Sequence, residues 1–332
     1  MTFYLIFTLI VLLSSTIKKN GELILHSLFA ILIFIVGFRT IEVGTDTVNY
    51  KMYFDVVESG KRLFVEPGWL AINHFVIFFN GSYETLMLLV TLLTLIPVYW
   101  ACRKYSINPT LSLFFYITLY FYFYSFNISR QLLAISFVLM SFHFLKENRK
   151  LSFVFLVLLA STFHTSALIV LPVLFIDKIP DKPILYISAI VVSALVGLFG
   201  TESIYDFISL TSYSNYLYKL ELGNTVGNAI YLLLLNGFFL FILYFSGKRE
   251  VYFKLFFLYI VLTNIFVRIP LGSRLIMYFS VIQVLYLPLF IYTNRKENNI
   301  FLIAVVIIYA FTIFFKTFGA GDILPYTNRI FN

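Results

Sequence analysis

The sequence is poor in charge and in cysteine, and both shortages exclude whole classes of protein. Only 12% of its 332 residues are Asp, Glu, Lys or Arg, about half the charged share of a typical soluble domain. The one cysteine, Cys102, excludes an internal disulfide, and no cysteine–histidine spacing typical of a metal site occurs. A dinucleotide-binding loop, an internal repeat and a separate soluble domain are also absent. We therefore predict a protein that uses no metal and no other cofactor.

Hydrophobic residues dominate instead. They make up 61% of the chain, aromatic residues make up 20%, and the mean hydropathy is +0.92. Since a soluble domain holds only about 45–50% apolar residues, the composition predicts an all-α, polytopic transmembrane helical protein. The net charge of +8 is assigned to loops that face anionic lipid headgroups. We therefore expect membrane lipid, and no nucleic acid, as a partner.

Apolar runs predict where the helices lie. The runs long enough for membrane helices span about 2–17, 22–38, 84–101, 109–125, 128–145, 183–199, 228–246, 251–267, 275–292 and 300–317. Residues 68–80 are apolar but too short to cross comfortably, which favours an interfacial or re-entrant helix. Residues 151–176 contain Pro172 and several polar residues around His164. They form either one long tilted helix or two short limbs that meet near His164.

The distribution of basic residues predicts the orientation, because cytoplasmic loops normally collect lysine and arginine. If 151–176 crosses the membrane twice, the chain makes about 12 crossings. In that topology most basic residues lie on the cytoplasmic side and both termini lie outside. A single crossing would divide the basic residues evenly between the two sides. The first arrangement leaves outer loops at about 39–67 and 200–227. Residues 1–332 then form a single integral membrane domain with its working surface outside.

Arginine does not follow this rule as lysine does. Six arginines fall on the predicted outer face: Arg39, Arg62, Arg130, Arg268, Arg274 and Arg329. A guanidinium binds phosphate through two parallel hydrogen bonds. Arg130 and Arg274 also begin predicted helices, where free backbone N–H groups bind anions. The set predicts a phosphate-bearing lipid as substrate; the alternatives are charge that keeps outer loops soluble and side chains that snorkel to headgroups.

Two carboxylates and one histidine are candidates for proton transfer. Asp46 and Glu66 lie near the predicted membrane surface, as a carboxylate pair that acts on sugars would. The alternatives are an Asx-turn at Asp46 and a helix cap at Glu66. His164 lies in an otherwise apolar stretch, where ionisable residues usually line a cavity. Its neutral imidazole suits accepting a proton from a hydroxyl, although it would also suit a hydrogen bond to a neighbouring helix. The tyrosines of 200–227 suit sugar rings and a membrane interface equally well.

Three blocks of sequence follow one another in the first half of the chain. They are Arg39 and Val43-Gly44-Thr45-Asp46 with Tyr50 and Glu66-Pro67-Gly68; Phe126-Asn127 with Arg130-Gln131-Leu132-Leu133-Ala134; and Phe163-His164-Thr165-Ser166-Ala167-Leu168-Ile169. In order and spacing, these blocks resemble the EpsG-like family of O-antigen and capsule polysaccharide polymerases, the Wzy type. The resemblance covers most of residues 1–180. Beyond them it depends on the number of spans, Arg274 and the terminal Leu324-Pro325-Tyr326.

The resemblance implies a glycosyltransferase of the GT-C type in the bacterial inner membrane, with its active face outward. Such an enzyme takes a glycan from one undecaprenyl diphosphate and joins it to the non-reducing end of a repeat unit on another. It needs no metal and no nucleotide sugar, and the involvement of a chain-length regulator stays open. The acidic motif of the first outer loop is reduced here to Glu42 and Asp46, which leaves the identity of the base open.

This reaction must position two lipids, stabilise departing negative charge and remove one proton. We expect His164 to be the base, with Asp46 second and Glu66 as a further catalytic candidate. The residues expected to bind diphosphate or substrate are Arg39, Arg130, Arg268, Arg274, Tyr50 and Gln131.

Two other functions remain open. A flippase for lipid-linked oligosaccharide needs ionisable residues at the membrane midplane, whereas the charges here concentrate in loops and at helix ends. A membrane O-acyltransferase should carry polar residues on the cytoplasmic face, where only short basic links occur. The sugar, its linkage and the stereochemical outcome are not predicted.

Overall fold

The structure is a computed structural model that describes residues 2–17, 19–200, 206, 225–269, 272–294 and 300–331, without the side chains of 225–228. Within these ranges there is no β-strand, only an isolated bridge between Arg39 and Asn328. The all-α prediction is therefore confirmed.

The described helices follow the predicted apolar runs closely. In chain order they are α1 (Thr2–Ser14), α2 (Gly21–Gly37), α3 (Thr47–Glu58), α4 (Pro67–Phe78), α5 (Tyr83–Tyr105), α6 (Pro109–Thr118), α7 (Phe121–Tyr124), α8 (Ser129–Lys146), α9 (Lys150–Phe163), α10 (Pro183–Phe199), α11 (Thr225–Phe245), α12 (Val251–Phe266), α13 (Gly272–Ser280), α14 (Gln283–Thr293) and α15 (Ile300–Thr317), and a 3₁₀ helix covers Thr165–Lys178. Among them, α5 and α15 are long and apolar enough to cross a membrane, and α13 with α14 would add a third span if the pair is one. Shorter apolar helices accompany them. The figure of about 12 crossings and the GT-C arrangement stay predictions.

Two further predictions, a short helix and a break in a helical run, are confirmed. The short helix expected at 68–80 is α4, which begins at Pro67. The segment 151–176 is broken where the sequence placed the break: α9 ends at Phe163, and His164 has an extended backbone with φ −155° and ψ 110°. The 3₁₀ helix then follows. Whether each limb crosses the membrane stays a prediction.

Two of the predicted apolar runs, 109–125 and 275–292, are each divided into two helices, which the sequence analysis did not predict. The first is divided at Tyr120, whose left-handed backbone (φ 73°) separates α6 from α7. The Tyr120 hydroxyl donates to the Ala320 carbonyl at 3.2 Å, a contact that hydropathy does not reveal. In the second run the chain tightens after α13, where the Ile282 N–H bonds Phe279 O three residues back.

The chain divides into two compact units, Met1–Leu168 with Gln283–Asn332, and Ile169–Ile282. In the first unit α8 packs along α5 and α9, and α5 packs along α2. A hydrophobic cluster joins α3, α4, α5 and α8. Its members are Tyr50, Phe54, Trp69, Ile72, Val76, Tyr83, Leu86, Met87, Val90 and Leu133. The single membrane domain stays a prediction.

Helix α3 lies inside the predicted outer loop 39–67, and the sequence analysis missed it. A turn precedes it, in which the Thr47 N–H bonds Gly44 O at 3.3 Å. The chain then forms α3, whose buried residues include Tyr50, Phe54 and Val57. Their spacing of three and four residues is the pattern of one helix face, so the signal was available in the sequence.

The C-terminal segment runs back along the start of this loop. The Arg329 N–H donates to Phe38 O at 2.9 Å, and the Thr40 N–H donates to Thr327 O at 3.2 Å. Further along, the Gly44 N–H donates to Asp322 O at 3.0 Å. These bonds hold the turn that begins α3 in place.

The second unit contains α10, α11 and α12. Asn264 on α12 and Asn236 on α11 exchange side-chain amide hydrogen bonds of 2.9 and 3.0 Å. The Asn264 amide also donates to Ser193 Oγ on α10 at 2.9 Å. Gly197 lets α10 approach α12 closely, since a Cβ there would lie 1.7 Å from the Asn264 carbonyl oxygen. Most of the predicted outer loop 200–227, with its tyrosines, lies outside the described residues.

Candidate active site

Each of the three sequence blocks contributes one charged or ionisable side chain to a single cluster in the first unit. Glu66 Oε2 lies 2.6 Å from Arg130 Nη1, and Glu66 Oε1 lies 3.3 Å from His164 Nδ1. The side chains are 14% (Glu66), 25% (Arg130) and 28% (His164) exposed. The cluster is therefore sheltered but accessible to a ligand.

Glu66 is positioned by the start of α4. Pro67 occupies the first helical turn, where its fixed φ favours helix initiation and its missing N–H costs nothing. Glu66 itself is the N-cap residue, with extended backbone angles (φ −59°, ψ 143°) and no side-chain cap hydrogen bond. Helix capping, the alternative role considered for Glu66, is therefore not what its carboxylate does. That carboxylate instead bridges Arg130 and His164.

Close packing of α4 on α9 brings Glu66 to His164. A Cβ on Gly68 would lie 2.6 Å from Thr162 Oγ1 and 2.7 Å from the Thr162 carbonyl oxygen. Only glycine permits this approach, because any side chain would displace the end of α9. The sequence analysis did not predict this packing role for Gly68.

Arg130 is the second residue of α8, and the residues just before it are held by the first outer loop. Phe126 O accepts from Thr47 Oγ1 at 3.3 Å, and Asn127 Oδ1 accepts from Thr45 Oγ1 at 3.0 Å. The guanidinium carbon of Arg130 also lies 5.7 Å from the ring centre of Tyr53, within cation–π range. Sequence reasoning did not single out Tyr53.

Charge stabilisation keeps Glu66 ionised. Burial by itself would raise the pKa of this carboxyl, but the hydrogen bond from His164 and the nearby Arg130 charge outweigh burial and lower the pKa to about 2. A carboxylate whose two oxygens already contact a cation and an imidazole is a poor proton acceptor. Glu66 is thus better suited to hold its partners than to act as a base.

Tyr50 lies beside Arg130 but is buried, at 5% exposure. Its ring packs against Trp69, with centroids 5.2 Å apart. Burial raises the pKa of Tyr50 to about 12, against the opposing influence of the Arg130 charge. The phenol therefore stays protonated, and Tyr50 packs beside Arg130.

The two ring nitrogens of His164 differ in their contacts with the described residues. Nδ1 faces Glu66, and Ser166 Oγ lies 3.4 Å away on the same side. Because a carboxylate only accepts, the contact to Glu66 requires the proton on Nδ1. In the described part of the chain, no protein group is within hydrogen-bonding distance of Nε2. A neutral His164 in this tautomer has an Nε2 lone pair available to a substrate hydroxyl.

Other predicted residues of the first unit lie apart from these contacts. Arg39 is buried at 5% exposure, and its guanidinium donates to Val36 O at 2.7 Å and Phe126 O at 3.4 Å. These contacts join chain segments, and a role in binding diphosphate stays a prediction. Asp46 is the N-cap of α3 without a side-chain cap bond. Gln131 is buried at 2% exposure.

Arg268 and Arg274 belong to the second unit. Arg268 Nη1 donates to the carbonyl of Leu198 at 3.0 Å, whereas Arg274 is exposed near the start of α13. Their roles in binding substrate stay predictions. Among the described residues, no group of three or more His, Cys, Asp or Glu is arranged to hold a metal.

Comparison with known protein families identifies the family of this chain. The model of the EpsG family matches residues 22–328, a range that includes Glu66, Arg130 and His164. The chain belongs to the EpsG family, which gives it a general role in polysaccharide polymerisation and makes it a membrane protein of the glycosyltransferase type. Neither a curated protein nor a solved structure matches the chain.

Proposed function

We propose that this protein joins undecaprenyl-diphosphate-linked oligosaccharides into a longer polysaccharide at the outer face of the bacterial cytoplasmic membrane. The observation that carries the proposal is the Glu66–Arg130–His164 cluster, which places a guanidinium beside an imidazole whose Nε2 contacts no other described residue. Family membership supplies the general activity. The donor and the acceptor are both lipid-linked glycans.

The reaction is a substitution at the anomeric carbon of the donor. A hydroxyl of the acceptor sugar attacks this carbon, its proton passes to His164 Nε2, and the bond to the diphosphate oxygen breaks. Undecaprenyl diphosphate leaves with the electron pair. A positioned general base contributes about 10²–10⁴-fold to such a step, which is the role assigned to His164.

Arg130 is proposed to bind the leaving diphosphate. A guanidinium has five N–H donors, so the bond to Glu66 leaves others for phosphate oxygens. Arg130 lies in the first turn of α8, where the positive end of the helix dipole favours a bound anion. With Glu66 ionised and His164 neutral, the cluster carries no net charge. Once His164 has taken the proton, the cluster gains one positive charge as negative charge builds on the diphosphate.

This charge balance favours a reaction without a metal ion. The leaving group is already good, and the positive charge it needs is provided by a side chain rather than by Mg²⁺ or Zn²⁺. Arg268 and Arg274 are further candidates for binding either lipid.

The test is a strain that lacks this protein, complemented with wild-type or variant chains, with its surface polysaccharide separated on a gel. A polymerase predicts that the ladder is lost while a single repeat unit remains, and that Arg130→Ala reproduces this defect at normal protein levels. The matched control is Arg62→Ala, an exposed arginine of the predicted outer loop 39–67, which should restore the ladder. Loss of the single repeat unit as well would indicate a flippase, and a full ladder with altered acyl decoration would indicate an acyltransferase. Either result would overturn the proposal.

A further inference from the structure

Resting on the proposed function, we infer that Glu66 is a positioning residue: it holds His164 in the tautomer with the proton on Nδ1 and anchors Arg130 beside it through its second oxygen. The inference depends on the two contacts of one carboxylate, 3.3 Å to His164 Nδ1 and 2.6 Å to Arg130 Nη1. Each oxygen has a different partner. The Glu66 side chain thus links His164, the proposed proton acceptor, to Arg130, which is proposed to bind the leaving diphosphate.

The neutral imidazole has two tautomers, and only one of them can accept a proton at Nε2. In solution both are populated, and the ring turns freely about its side-chain torsions. A carboxylate facing Nδ1 selects the Nδ1–H form and restricts the ring, because it can accept but cannot donate. The rigid backbone around Glu66 strengthens this selection, since Pro67 begins α4 and Gly68 is packed on Thr162.

The same carboxylate also favours the charged product of proton transfer. When Nε2 takes the proton, the imidazolium lies against an anion rather than against an apolar wall, which offsets the cost of a buried charge. Glu66 need not touch the substrate for either effect. We therefore distinguish Glu66 from His164 and Arg130, which are proposed to contact the substrate.

The Glu66→Gln variant separates this role from simple loss of packing. Glutamine has the same shape but offers one acceptor oxygen and one NH₂ donor. Since a guanidinium has only donors, the glutamine oxygen is expected to face Arg130, and its NH₂ then faces His164 Nδ1. That arrangement requires Nδ1 to be an acceptor, so the proton moves to Nε2 and blocks the base.

The experiment combines a spectroscopic and a kinetic measurement on full-length protein in lipid vesicles. ¹⁵N-histidine NMR in mildly alkaline buffer identifies the protonated ring nitrogen of His164, whose signal is assigned by its loss in His164→Asn. We expect Nδ1–H in the wild type and in Arg130→Ala, and Nε2–H in Glu66→Gln. With lipid-linked repeat unit as substrate, kcat of Glu66→Gln should fall about 100-fold, while KM changes by less than about threefold.

The control is Glu58→Gln, an exposed carboxylate at the end of α3, which should change neither measurement. A wild-type His164 with its proton on Nε2 would overturn the inference without any variant. So would a Glu66→Gln protein that keeps the Nδ1–H form or the wild-type kcat. If the NMR result is as expected but the wild type does not join repeat units, the proposed function fails while the positioning of His164 by Glu66 stands.

Discussion

Each compact unit contains a polar contact that joins three segments of the chain, and the two contacts differ in every respect that matters for function. In the first unit Glu66, Arg130 and His164 form a charged, partly exposed cluster. In the second unit Asn264 joins Asn236 and Ser193 in a neutral contact, with Asn264 fully buried. Both connect elements that are distant in sequence.

In the neutral contact of the second unit, the hydrogen-bonding groups of the Asn264 amide all have partners. The two asparagine amides exchange hydrogen bonds, and the remaining Asn264 donor capacity is directed at Ser193 Oγ and Ile190 O. Such pairs stabilise the association of membrane helices by about 1 kcal/mol or less. Nothing in that contact is left to bind a substrate, so its role is packing.

The charged cluster differs, because not all of its hydrogen-bonding groups have partners among the described residues. His164 Nε2 has no protein partner among the described residues, and a quarter of the Arg130 side chain is exposed. An arrangement of this kind stabilises a charge that appears only during reaction. Completeness of the polar contacts therefore distinguishes a structural contact from a candidate site in this protein.

The largest expected effect comes from removing the proposed base. His164→Asn should lower the rate of repeat-unit joining by about 10²–10⁴-fold, because Nε2 is lost, while the amount of folded protein stays near normal. The measurement is the rate of polymer formation by purified protein in vesicles. The matched control is His74→Asn, an exposed histidine on α4, which should retain the wild-type rate. A His164→Asn protein with most of that rate would remove the distinction between the two contacts.

The second effect falls on the packing contact and should alter stability alone. Gly197→Ala places a Cβ 1.7 Å from the Asn264 carbonyl oxygen, so α10 must move away from α12, at a cost of about 1–3 kcal/mol. The measurement is the free energy of unfolding in detergent. Gly237→Ala on α11 is the control, since no atom lies within 4 Å of its Cβ position. Equal stability of the two variants would contradict the close packing described for α10.

The smallest expected effect is a difference between the two contacts in how their contribution to stability depends on pH. The folded pKa of Glu66, about 2, lies below its ordinary value of 4.5, so its stabilising contribution is complete above about pH 4.5. It is lost as the pH falls toward 2. The difference in Tm between wild type and Glu66→Gln should therefore shrink on acidification through this window.

The matched comparison is Asn264→Leu, which removes a neutral contact worth about 1 kcal/mol. Its difference in Tm from wild type should stay constant over the same pH range, because no charge is involved. A constant difference for Glu66→Gln as well would show that the carboxylate gains nothing from its two partners.

The sequence predicted the helices well because apolar length, proline and glycine act locally. It placed α4, the break at His164 and the long apolar helices, and it named Glu66, Arg130 and His164 individually. It also contained the signal for α3, in the spacing of Tyr50, Phe54 and Val57. These features depend on residues only a few positions apart.

Only the tertiary structure decided which of the named residues meet. Glu66 and Arg130 are 64 positions apart, and the approach of Glu66 to His164 depends on Gly68 packing against Thr162, which no local pattern reveals. The six arginines carry the same charge in the sequence. In the structure, Arg39 is buried among backbone carbonyls whereas Arg130 is held by a carboxylate at an accessible site. Residue type determined what chemistry each side chain can perform, and the packing of distant segments determined which of them can perform it together.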